Sequence, residues 1–245
     1  TCNRTEIYYQ ASEDLASKIL RLLSIQKCMP TQEPLLPYFE VINEQSVAVE
    51  HLFRVGLGLE SQVVGDLQIT NQVKRAYQTA ANHEMTGPFL HRLLHTIFFA
   101  NKRVVQETAF RDGAASVSYA AVEMMAEVTQ TLANPKVLVV GLGEIGTNVV
   151  KNLENTSITD VTITNRTIEK ATALANTCGY KVADFSQVWE AVNEADVVIS
   201  SIGLSDPFFT HANLKNLSNS SAVKCFFDLS VPRSVSPDVE QLSNV

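Results

Sequence analysis

Residues 135–147 read Pro-Lys-Val-Leu-Val-Val-Gly-Leu-Gly-Glu-Ile-Gly-Thr, and no other stretch limits the possible folds as strongly. Four consecutive apolar residues, three of them β-branched, run straight into a G-x-G-x-x-G. A helical pattern follows at once, with Val149, Val150 and Leu153 apolar and Asn148, Lys151 and Asn152 polar. Strand, glycine turn and helix are the context that a dinucleotide-binding site requires. The glycines have separate tasks: Gly141 permits the tight turn, Gly143 lets the backbone approach a pyrophosphate, and Gly146 lets helix and strand pack closely. The start of the helix then offers unpaired N–H groups and a positive dipole end to phosphates.

From residue 135 onward the pattern alternates. Strands are expected at 160–164, 180–182, 196–200 and 225–229, with helices at 168–177 and 185–192. That order predicts a doubly wound parallel sheet of Rossmann type. An Asp or Glu about 20 residues past the glycines usually holds the ribose 2′-hydroxyl of NAD. Here the second strand ends in Thr164-Asn165-Arg166-Thr167, with no carboxylate. A guanidinium pairs with a 2′-phosphate in a bidentate way, so NADP is favoured over NAD. The expected cofactor-binding set is Gly141, Leu142, Gly143, Glu144, Ile145, Gly146, Asn165, Arg166 and Thr167.

The first half is mostly helical, with helices expected at 14–23 (Ser12 as N-cap), 47–55, 67–81, 89–105 and 116–132. Short strands are expected at 6–9 and 39–42, with a proline-marked loop between residues 30 and 37. A junction near Gly113 separates a first domain, 1–110, from a dinucleotide-binding domain, 111–245. The fold class is therefore α/β, an α+β domain followed by a Rossmann domain. The chain opens Thr-Cys-Asn-Arg directly before a strand-like segment, as if cut inside its first domain.

Hydrophobic residues make up 45% and charged residues 18% of the 245, which suits packed cores rather than disorder. No apolar run approaches the roughly 18–20 residues of a membrane span. A net charge of −7 argues against generalised nucleic-acid binding, where a basic footprint is expected. Four scattered cysteines without a C-x-x-C suggest neither a metal site nor a disulfide framework, and make a reducing cytoplasm the default.

Two residues stand out as chemistry. Cys2 sits among polar neighbours with Arg4 close by, and a cation favours the thiolate. A nucleophilic cysteine beside a reduced nicotinamide fits acyl transfer to sulfur followed by reduction of the thioester. His51 lies in Glu50-His51-Leu52-Phe53, where a plain helix histidine is the bland alternative. His91 and His95 stand four apart on one helix but lack the carboxylate of an H-E-x-x-H motif, so no metal site is expected there.

Several stretches together resemble glutamyl-tRNA reductase, the NADPH-dependent first enzyme of the five-carbon route to tetrapyrroles. They are TCNRTEIY (1–8), HLFRVGLGLESQVVGDLQITNQVKRAY (51–77), FFANKRVVQETAFRDGAASVSYAAVE (98–123), GLGEIG (141–146), TNRT (164–167) and DLSVPRSVSPDV (228–239). The resemblance implies that Cys2 attacks the aminoacyl ester of glutamyl-tRNA. A glutamyl thioester forms, and hydride from NADPH yields glutamate-1-semialdehyde. It implies that His51 polarises the carbonyl or handles a proton. It implies glutamate binding by Thr1, Asn3, Arg4, Ser61, Asp66, Leu67, Gln68 and Gln72, with Arg4 on either the α- or the γ-carboxylate.

One departure is local: the family carries Glu-Pro or a close variant where this chain has Asp66-Leu67. The family also has residues before the cysteine motif and a helical dimerisation domain after VPR, which would leave this stretch incomplete as a catalyst. The expected partners are glutamyl-tRNA, a second copy of the whole protein and the downstream semialdehyde aminomutase, in the cytoplasm and without a membrane. A shikimate-dehydrogenase-like reductase and a non-catalytic NADP-binding module are the competing readings.

Overall fold

A computed structural model describes residues 4–110, 116–215 and 224–242. It divides into two compact units, the first ending at Gly113 and the second beginning at Ala114.

The first unit carries four helices among its described residues: α1 (Ala16–Gln26), α2 (Gln45–Gly56), α3 (Leu67–Asn82) and α4 (Pro88–Glu107). A 3-10 turn at Glu33–Tyr38 follows α1. Leu52, Leu94 and Ile97 form the buried centre, with Tyr8, Phe53, Val73 and Tyr77 packed around it. The last turn of α2 sits so close to α4 that a Cβ on Gly56 would lie 2.4 Å from Ile97 Cγ2. Thr70 on α3 donates its hydroxyl to the Gly56 carbonyl at 2.9 Å, which joins the third helix to that contact.

Local signals start these helices. Pro88 occupies the first turn of α4, where its missing N–H costs nothing. Asp66 caps α3 by accepting from Gln68 N at 2.8 Å. The expected cap at Ser12 is not the one used: α1 begins later, and Asp14 accepts the Ala16 N–H at 2.8 Å. The segments 6–9 and 39–42 are not strands either. An extended segment becomes a strand only when a neighbour completes its ladder. Among the described residues, every sheet ladder belongs to the second unit.

In the second unit α5 (Val117–Val128) precedes β1 (Val137–Val140), α6 (Glu144–Leu153), β2 (Val161–Thr164), α7 (Ile168–Cys178) and β3 (Lys181–Val182). After β3 come a 3-10 turn at Phe185–Gln187, α8 (Val188–Glu194), β4 (Val197–Ser200), α9 (His211–Leu214) and β5 (Cys225–Asp228). The expected helix 185–192 is thus split: Asp184 accepts the Ser186 N–H at 2.8 Å and tightens the first turn. Helix α5 ends earlier than expected, where Thr129 returns its hydroxyl to the Met125 carbonyl at 2.8 Å.

The five strands are parallel and ordered β3-β2-β1-β4-β5. Alternate residues of β1 serve opposite faces. Val137 and Val139 pack with Val122 and Met125 of α5 and with Val149, Val150 and Leu153 of α6. Leu138 and Val140 pack with Val188 and Val192 of α8 and Leu214 of α9. Helices therefore cover both faces, as the doubly wound reading expects. The chain leaves β1 toward β2 on one side and returns as β4 on the other. That reversal lies between β1 and β4, and beyond the carboxyl ends of strands at such a point doubly wound sheets form the crevice that binds ligands.

Candidate functional site

The crevice is built from two loops whose backbones touch. Gly141 ends β1 at φ +93°, a left-handed conformation that a side chain disfavours. A Cβ there would stand 2.4 Å from the Ser201 carbonyl oxygen, on the loop after β4. Gly146 is equally constrained, since a Cβ would come 2.0 Å from the Gly141 carbonyl oxygen. Gly143, the N-cap of α6, differs: nothing lies within 4 Å of the Cβ it lacks. The two closed glycines form the turn, and the open one leaves room at the start of α6. That is the shape a pyrophosphate needs beside unpaired helix N–H groups.

Asn165 links this turn to the second strand. Its Oδ1 accepts from Leu142 N at 3.1 Å, and its Nδ2 donates to the Thr167 carbonyl at 3.1 Å. Arg166 and Thr167 are exposed at the start of α7, and Glu144 is exposed in the first turn of α6. Leu142 and Gly146 are buried and Ile145 is half-buried, so these three shape the loop.

The far wall of the crevice rests on the DLSVPRSV stretch, which the sequence analysis quoted as a motif without giving it a role. Asp228 at the end of β5 accepts four hydrogen bonds: from Ser230 N (3.0 Å), Ser234 N (2.8 Å), Ser234 Oγ (2.8 Å) and Val235 N (2.9 Å). Ser230 Oγ in turn accepts from Ile202 N at 3.1 Å. One carboxylate thereby folds the DLSVPRSV loop, and that loop holds the 201–203 loop against Gly141. The motif is visible in sequence, but its partner on β4 is not.

In the first unit the expected residues are only partly described. Thr1, Cys2 and Asn3 lie outside the described residues. Arg4 places Nε 2.7 Å from Glu6 Oε1 and donates through Nη1 to the Glu60 carbonyl at 3.1 Å. His51 Nε2 on α2 stands 3.4 Å from the same Glu6 oxygen. Glu6 therefore joins Arg4 and His51, a role sequence reading missed. One signal was available: Arg4 and Glu6 are two apart in an extended segment, which puts them on one side.

The loop between α2 and α3 frames this cluster. Gly58 (φ +78°) and Gly65 (φ +87°) turn it, and Gly65 N donates to the Gly58 carbonyl at 3.0 Å. Glu60 inside it pairs with Arg54, which holds the Glu60 carboxyl below its ordinary value. Half-buried Ser61 follows. Asp66 is buried and committed to its cap, Gln68 is half-buried, and Leu67 is exposed. Gln72 is exposed and shares with Arg4 and Glu6 the lining of a cavity of about 370 Å³, whose other walls include Leu52, Val55 and Leu94. Burial and a hydrogen bond to Glu6 push the Tyr8 phenol well above its ordinary value, so Tyr8 stays a neutral donor beside the cluster.

Among the described residues no group of three or more His, Cys, Asp or Glu side chains could hold a metal. No helix there is long and apolar enough to cross a membrane.

Comparison with known proteins separates the two units in the same order. Residues 1–108 match the model of the glutamyl-tRNAGlu reductase N-terminal domain, and residues 123–245 match that of shikimate / quinate 5-dehydrogenase. A glutamyl-tRNA reductase of Cytophaga hutchinsonii is 54% identical over 246 residues, covering 100% of this chain and 58% of that protein. One from Geotalea uraniireducens is 33% identical over 252 residues, covering 100% and 57%. The solved glutamyl-tRNA reductase from Methanopyrus kandleri superposes with a TM-score of 0.50 at 33% identity, over 82% of this chain and 51% of that one. The chain thus spans less than two thirds of the length of these relatives.

Proposed function

The chain belongs to the glutamyl-tRNA reductase family, and from that premise we propose that it takes part in NADPH-dependent reduction of glutamyl-tRNA to glutamate-1-semialdehyde. Residues 1–110 serve as the acyl-transfer part and 111–245 as the NADPH part. The observation that carries the reading is the meeting of Arg4 and His51 on one Glu6 carboxylate, with Cys2 two residues before Arg4 in the chain.

In this mechanism the Cys2 thiolate attacks the ester carbonyl carbon of glutamyl-tRNA. The ester C–O bond breaks, a thioester forms, and the ribose oxygen leaves with a proton given by His51. The Glu6 carboxylate, 3.4 Å from His51 Nε2, fixes the orientation of the ring. The Arg4 guanidinium takes a substrate carboxylate in exchange for Glu6, helped by Thr1, Asn3, Ser61, Gln68 and Gln72. Asp66 and Leu67 act through the backbone turn that opens α3. Bound NADPH would supply the hydride that converts the thioester carbon to an aldehyde; the carbon–sulfur bond then breaks and Cys2 leaves as the thiolate that began the cycle.

On the nucleotide side, Gly143 and the first turn of α6 receive the pyrophosphate, while Asn165 keeps the turn in register with β2. Arg166 selects a 2′-phosphate, because the strand end offers no carboxylate for a 2′-hydroxyl. The reading extends to a homodimer of the whole protein, to transfer of the semialdehyde to an aminomutase, and to a cytoplasmic setting.

The test uses tRNA charged with labelled glutamate and no NADPH. Label should become attached to the wild-type protein and not to Cys2→Ser. Absence of label on both, in this chain and in the full-length protein, would rule out the covalent mechanism.

A further inference from the structure

We infer that Tyr77, His91 and His95 form a binding site for a divalent first-row transition metal, with Zn2+ as the probe. The site lies on the first unit and is independent of the proposed reduction. His91 and His95 are one turn apart on α4, so they project from the same face. Helix α3 brings a third donor to the point where they meet. The Tyr77 hydroxyl oxygen is 2.6 Å from His91 Nδ1 and 3.0 Å from His95 Nε2. The two imidazole rings lie with centroids 4.5 Å apart. Two ring nitrogens and one phenol oxygen therefore converge.

Protons hold this cluster together without a metal, but only one way. The phenol has a single proton, so it donates to one ring and must accept an N–H from the other. A metal ion replaces that arrangement. Both converging nitrogens become lone-pair donors, the ring that donated its inner N–H carries that proton on its outer nitrogen instead by exchange with solvent, and the phenol proton is released to solvent. Zinc–nitrogen and zinc–oxygen bonds near 2.0–2.1 Å place tetrahedral donors roughly 3.3 Å apart. To reach that spacing the Tyr77 oxygen and His91 Nδ1 move apart by about 0.7 Å, and the Tyr77 oxygen and His95 Nε2 by about 0.3 Å. Both histidines are exposed, so their rings have room to do so, and the fourth position is left to water. Imidazole donors suit Zn2+, Cu2+ and Ni2+ over Mg2+ and Ca2+. Phe98 packs edge-on against the Tyr77 and His95 rings, with centroids at 5.8 and 6.4 Å, and steadies them.

The sequence showed a histidine pair without a third ligand, and the third ligand is a phenol from another helix. Calorimetric titration with Zn2+ of wild type, His91→Ala, His95→Ala and Tyr77→Phe tests the site. Cysteines are common to all four proteins, so differences between them read this cluster alone. Equal melting midpoints without metal would establish that the variants fold. Wild type should bind one equivalent whose affinity falls on the order of tenfold to a hundredfold in either histidine variant. It should also release one proton and develop a tyrosinate absorption band that Tyr77→Phe lacks. Identical isotherms in wild type and both histidine variants would overturn the site. A wild-type titration without the tyrosinate band would overturn the role of Tyr77.

Discussion

The Asn165 side chain accepts the backbone N–H of Leu142 at 3.1 Å, across 23 residues of chain. It ties the glycine turn after β1 to the end of β2. With its second bond to the Thr167 carbonyl, Asn165 sets the spacing between the glycine turn, the proposed pyrophosphate position, and Arg166. Asn165→Ala removes both bonds. Each is worth about 0.5–1.5 kcal/mol, so NADPH affinity should fall on the order of tenfold. Fluorescence titration with NADPH checks this, and an unchanged affinity would mean the turn holds its shape without the link.

Arg166 should decide between the two nicotinamide cofactors. A charge-assisted bond to phosphate contributes about 1.5–3 kcal/mol, which corresponds to roughly tenfold or more in affinity. Arg166→Gln should weaken NADPH binding by that factor and leave NADH binding nearly unchanged. Parallel loss of both cofactors would place Arg166 outside the 2′-phosphate site.

The three glycines of the turn should respond differently to alanine. Gly143→Ala meets nothing within 4 Å, so its melting midpoint should match wild type while dinucleotide binding is lost to the added methyl group. Gly146→Ala drives a methyl into the Gly141 carbonyl at 2.0 Å. It should destabilise the second unit by about 1–3 kcal/mol or more, as overpacking does. Thermal melts read beside NADPH titrations separate the two effects.

Acid should weaken the frame of the proposed acyl site through Glu60. Its carboxyl is held below its ordinary value, first by the hydrogen bond from Arg54. A carboxyl depressed in the folded state stabilises the fold fully above its unfolded value, and that contribution drains away as pH falls through the folded value. Urea unfolding of wild type should therefore show a flat neutral region and a decline below about pH 4.5. Glu60→Gln should be less stable at neutral pH and should decline less steeply in acid. An identical acid limb in both proteins would show that the Arg54 pair contributes nothing, as many exposed pairs do.

The sequence by itself determined the nucleotide half of this protein. Apolar runs at 137–140 and 197–199 mark strands because consecutive burial is written in consecutive residues, β-branched Val-Thr-Ile-Thr marks the strand at 161–164, and the glycines at 141 and 146 mark positions where no Cβ fits. The helices at 67–82 and 88–107 were legible for the same reason, since periodicity and caps are local. Only the tertiary structure decided what distant segments do to one another. It left 6–9 and 39–42 outside any ladder, and it set Glu6 between Arg4 and His51. It used Asp228 to hold the loop that braces Ile202 and Gly141, and it brought Tyr77 to a histidine pair that looked incomplete. Local pattern fixes backbone conformation and which face is buried. Side-chain pairing depends on which chain segments end up side by side, and that is settled by packing the whole unit.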